Sequence, residues 1–154
     1  MGGQRVREKM AVDLQLANAG RSEVPPLDLI ETWVQSTFAA IGRHPQDVTV
    51  RVTDEDEMTG LNLRFRGMNR PTNVLAFPFE CVEGVGYSHL GDIVICYPVV
   101  IDESNQQDKP VALHFAHMVI HGTLHLCGLD HETEETAAIM EAVEQRLLND
   151  IRVC

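Results

Sequence analysis

His121-Gly-Thr-Leu-His125-Leu-Cys-Gly128-Leu-Asp-His131 ends an apolar helix, and its reading decides how the rest of the chain is understood. Two histidines four residues apart stack on one helix face, with Cβ atoms about 5–6 Å apart. Both imidazoles can then reach one ion at zinc–nitrogen distances of about 2.1 Å. Gly128 stops the helix by permitting a left-handed backbone, so the chain can double back and bring in His131 as third ligand. Three protein ligands leave a fourth position open, as in catalytic rather than structural zinc. The expectation is one zinc per chain, held by His121, His125 and His131. Histidines satisfied by ordinary hydrogen bonds are the competing explanation. It is the weaker one, because two of them interrupt an apolar helix, where an unpaired polar group costs on the order of a few kcal/mol.

Neighbouring residues sort around this centre. His117 lies one turn before His121, but three ligands spread over about 12 Å of straight helix do not converge easily on one ion. It is read as supporting a ligand or facing substrate, and is a candidate catalytic residue on that basis. His114 is expected to be structural or solvent-exposed, and Cys127 a small buried residue. Asp130 and Glu132 flank His131; they either orient a ligand histidine or serve as cap and surface acids. The spacing follows the long zincin pattern, except that the glutamate that serves as general base in such peptidases is Gly122 here. Glycine has no side chain to accept a proton.

Moving outward, Val111 to Cys127 is apolar on nearly every side, which marks a buried helix, opened by Asp108-Lys-Pro110. Thr133 caps a last helix with Glu134 and Glu135 in its first turn and Thr136, Met140, Val143, Leu147 and Ile151 along one face. Upstream, Met10 to Leu16 alternates enough to be a strand. Pro25-Pro26 opens a helix with Ile30, Trp33, Val34, Thr37 and Ile41 on one face, closed by Gly42. Val48, Val50 and Val52 alternate with polar residues as in a half-buried strand. Asp54 to Glu57 read as a solvated first helical turn, continued by Met58, Leu61, Asn62 and Phe65. A turn over Arg66 to Asn73 leads into the strand VLAFPF, where Pro78 points to a sheet edge. Gly91 to Cys96 is a further strand, followed by a short helix from Tyr97. Phe77, Phe79 and Tyr87 are expected in the core rather than as base-stacking platforms. The sum is α+β: a single domain over 1–154 with one mixed four-stranded sheet, about five helices, and the zinc site at the end of a buried helix. Residues 1–9 read as a loose tail.

The 154 residues carry a net charge of −11, which counts against sequence-blind binding to nucleic acid. From Leu61 to Phe79, however, three arginines (Arg64, Arg66, Arg70) occur with no acid. A local basic patch is compatible with that; a basic coat is not. No apolar run is long enough to span a membrane. The start lacks the apolar segment of a secretory signal, and the four cysteines form no CxxC pair, so the cytoplasm is the expected compartment.

HGTLHLCGLDH, preceded by His117-Met-Val-Ile, resembles the signature of the YbeY family of bacterial endoribonucleases. LNLRFRGMNRPTNVLAFPFE and GDIVIC are similar to two further blocks of that family, in the same order. Departures fall at Met68, Asn69 and Ala76, where the family has Lys, Asp and Ser, and at Leu129, usually aromatic. The resemblance implies a single α+β domain with one zinc on the three histidines. It also implies cleavage of single-stranded RNA in maturation of the 16S RNA of the small ribosomal subunit and in ribosome quality control. Arg66 falls on the family's functional arginine, a residue type shaped to hold a phosphate bidentately and to stabilise growing charge. A bound zinc lowers the pKa of water to about 7 and polarises a phosphoryl oxygen, which suits phosphodiester hydrolysis. Two other readings stay open at this point: a zinc peptidase without the usual base, and a non-catalytic assembly factor with structural zinc.

Overall fold

In the computed structural model of the chain, residues 10–17, 24–79 and 89–151 are described. Strand β4 (His89–Cys96) is the organising element. Its run Leu-Gly-Asp-Ile-Val-Ile-Cys is almost continuously apolar because both of its faces are covered. Ile93 and Ile95 face the main core, while Val94 and Cys96 face a smaller one with Met58 and Leu75. β2 (Asp47–Thr53) pairs with β4 in parallel, and β1 (Val12–Leu16) adds to β2 in parallel. β3 (Val74–Pro78) runs antiparallel on the other side of β4, giving the order β1-β2-β4-β3. Pro78 therefore does lie on an edge strand, where its missing N–H breaks no ladder.

The valines of β2 at 48, 50 and 52 are buried and the residues between them are partly exposed, as period-two patterning requires. Over that apolar face lie α1 (Leu27–Ala40) and α4 (Val111–Leu126). α1 contributes Ile30, Trp33, Val34 and Phe38, and α4 contributes Phe115, Met118 and Val119, to one continuous core. α2 (Glu55–Arg66) covers the opposite face through Met58. α3 (Tyr97–Gln106) follows β4 directly, and α5 (Glu134–Asp150) packs on α4 through Met140, Ile120 and Leu124. The architecture is the expected α+β arrangement of one mixed four-stranded sheet and five helices among the described residues. No described helix is long and apolar enough to cross a membrane.

Several expectations change in detail. The tail 1–9 and Tyr87 lie outside the described residues. Phe65 continues α2 as expected but is 55% exposed, and its ring meets Phe77 at 4.9 Å between centroids. Phe79 is also exposed, because it follows the last residue of an edge strand, and its ring meets that of His89 edge-on. The first turn of α2 is more than solvated acid. Asp54 caps it by accepting from the Glu57 backbone N–H, and Glu57 grips Arg51 with both oxygens at 2.6 and 2.8 Å. Asp108 does not cap α4: it takes a left-handed φ of 52°, closing the preceding turn, and Pro110 occupies the cap position.

Candidate metal centre

The end of α4 builds the site. Gly128 has φ +92°, its N–H donates to the His125 carbonyl, and the Leu129 N–H donates to the Leu124 carbonyl. These two bonds form a Schellman ending, and Leu129 supplies the usual apolar contact by packing against Ile120, Leu124 and Met140. Arg43, just past the end of α1, clamps the same turn through its Nη1, 3.0 Å from the Cys127 carbonyl. The chain consequently folds back, and His131 comes to lie over the two helical histidines.

His121, His125 and His131 each offer one ligand nitrogen, and these all lie within 4.8 Å of one another. The Nε2 atoms of His121 and His125 are 3.2 Å apart. A tetrahedral zinc with bonds of about 2.1 Å separates its ligand nitrogens by about 3.4 Å, so the trio fits such an ion. The protonation chemistry also fits. Burial pushes the His125 pKa down, helped by the nearby His121 and His131, which favours the neutral ligating form. His121 donates its Nδ1–H to Glu144 Oε2 at 2.5 Å, leaving Nε2 with a lone pair directed at the cluster.

Glu144, on α5, is the residue that the sequence alone did not single out. The signal was present: it lies four residues after Met140 and three before Leu147, inside the apolar stripe of α5. Its other oxygen accepts from His117 Nε2 at 3.1 Å. Burial alone would raise its carboxyl, but the bonds from His117 and His121 outweigh this and hold it down at about 2. His117 thus sits behind His121 on the carboxylate, and it is not among the residues lining the cavity in front of the histidines. Asp130, for its part, accepts the Glu132 N–H and shapes the turn. His114 is buried and bonded through Nε2 to Glu103 at 2.8 Å, a structural role, while Cys127 is only half-buried.

In front of the three histidines is a cavity of about 360 Å³, whose other walls include Arg66, Thr72, Asn73 and the edge-strand residues Val74 to Ala76. Arg66 is the last residue of α2, and no carboxylate pairs with it among the described residues. The turn beyond it is pinned. Asn62, buried on α2, donates to the Arg70 carbonyl, and Asn73 donates to both oxygens of Glu103. Arg64 instead lies over the Phe65 ring and does not line the cavity.

A mixed sheet beside two helix-borne histidines and a third from the turn that follows, open to a cavity that an arginine shares, defines a protein with a candidate metal site. More particularly, the chain belongs to the endoribonuclease YbeY family, whose model matches residues 18–152. Membership carries metal-dependent endoribonuclease activity in ribosomal RNA processing. The chain is also similar to TM1509 from Thermotoga maritima, known from a solution structure, at 27% identity and a TM-score of 0.57 over 88% of this chain and 87% of that one.

Proposed function

We propose that this chain is a zinc-dependent endoribonuclease that cuts single-stranded RNA. Its place is in the cytoplasm, in maturation of the 16S RNA of the small ribosomal subunit and in ribosome quality control. The observation that carries this reading is that Arg66 and the three histidines wall one cavity. His121, His125 and His131 would hold one zinc, which when bound supplies a Lewis acid for a phosphoryl oxygen and a water nucleophile at neutral pH.

The chain's own residues do the rest. Arg66 presents a planar fork to the phosphate oxygens and neutralises charge as the phosphorus becomes crowded. Asn62, Asn73 and Glu103 keep the turn after Arg66 in register with the histidines. Gly122, which also lines the cavity, disfavours the peptidase alternative on steric grounds, since a Cβ there would lie 2.7 Å from Ile93 Cγ2 and leaves no room for a glutamate base.

The test is incubation of the zinc-loaded protein with matched single-stranded and duplex RNA, alongside His121→Ala and a chelator-treated sample. Cleavage confined to the single strand and lost in both controls is expected. Equal cleavage by the His121→Ala protein would contradict the proposal.

A further inference from the structure

Among the described residues Glu144 is the one buried carboxylate, with 7% of its surface exposed. An ionised carboxylate is costly to bury, and an apolar side chain at this position would simply continue the stripe of Met140, Val143 and Leu147. Both of its oxygens are nevertheless engaged, one by His121 Nδ1 and one by His117 Nε2. His121 turns its opposite ring nitrogen toward His125, 3.2 Å away. We propose that Glu144 is the positioning residue of the metal centre: it fixes His121 in the Nδ1–H tautomer and aims its Nε2 at the ion, with His117 steadying the carboxylate from the other side.

The proposal rests on the reading of His121 as a metal ligand. Histidine ligands commonly donate their second ring N–H to a carboxylate, which sets the tautomer and strengthens the ligand. Here the carboxylate comes from a different helix, so α5 is tied to the site by a bond that only this orientation of His121 satisfies. His117 completes the clamp at one Glu144 oxygen, and its own Nδ1 is buried without a hydrogen-bond partner, so the ring has a single polar tether. That tether faces Glu144 and not the cavity, which makes His117 a positioning residue as well.

Zinc affinity is measured for the full chain by competition with a chromophoric chelator, in wild type, Glu144→Gln and His121→Ala. Glutamine keeps the shape but can accept from only one of the two histidines, and its amide N–H groups oppose the other. Glu144→Gln is expected to retain one site with affinity about 10–100-fold weaker, whereas His121→Ala loses the site. Wild-type affinity in Glu144→Gln, with the site lost in His121→Ala, overturns the role of Glu144 and leaves the zinc reading standing. Unchanged affinity in His121→Ala overturns the zinc reading itself. Should Glu144→Gln fail to fold, the imidazole nitrogen NMR spectrum of zinc-loaded wild type decides: His121 protonated at Nδ1 is expected, and His121 protonated at Nε2 overturns the proposal.

Discussion

At position 122 a Cβ would come within 2.7 Å of Ile93 Cγ2, where real side-chain carbons are not found, so the helix that carries the histidines lies unusually close to β4. The sequence showed Gly122 only as a missing peptidase base; the reason for glycine is packing, which one chain's sequence does not display. Gly122→Ala is expected to destabilise the protein by about 1–3 kcal/mol through overpacking against Ile93, read from urea denaturation. Unchanged stability would mean that Ile93 rotates away at no cost. The three ligand histidines were legible because their spacing and the glycine after them dictate a geometry. Glu144 was not, because its partners lie 23 and 27 residues away on another helix.

His114 shows the same limit at the level of elements, since its partner Glu103 belongs to α3 and links α4 to the turn through Asn73. Burial lowers its pKa, opposed by the hydrogen bond that it donates to Glu103, so the folded value lies below the unfolded one of about 6.5. Between those two values the unfolded chain binds more protons than the folded chain. The neutral imidazole thus contributes stability above pH of about 6.5, and that contribution is lost as pH falls through the folded value. The zinc-free protein should show a lower urea midpoint at pH 5 than at pH 7, and His114→Gln a smaller drop over the same interval. An equal drop in both would assign the effect to other groups, such as His125, whose pKa is lowered in the same direction. Helices and strands were otherwise legible from periodicity and turn residues, as with Pro78 at the edge and Thr133, whose side chain accepts from the Thr136 N–H. Phe79 was misjudged because its exposure follows from which edge of the sheet lies open, a property of the whole assembly.

Over the whole molecule, a net charge of −11 leaves the arginine segment 64–70 as the place where a phosphate backbone meets favourable charge. RNA affinity should therefore fall with salt along a shallow slope, equivalent to about two or three phosphates. A slope equivalent to eight or more would contradict a single local patch. The central claim is narrower still: Arg66 acts on the phosphate beside the histidines, and its neighbours do not. Arg66 walls the histidine cavity, whereas Arg64 lies over Phe65 and Arg70 lines only a neighbouring hollow that Arg66 also borders. The measurement that separates a catalytic centre from a docking surface is the initial rate of cleavage of one single-stranded RNA. It is taken for the Ala variants of Arg64, Arg66 and Arg70, each checked for bound zinc and melting temperature. Arg66→Ala should keep its zinc and its stability and lose about 100-fold or more in rate, the scale seen when one preorganised charge stabiliser is removed. Arg66→Lys should recover only part of that, since a point charge cannot grip two oxygens in a plane. Equal, modest losses at all three arginines, with zinc intact, would contradict the account.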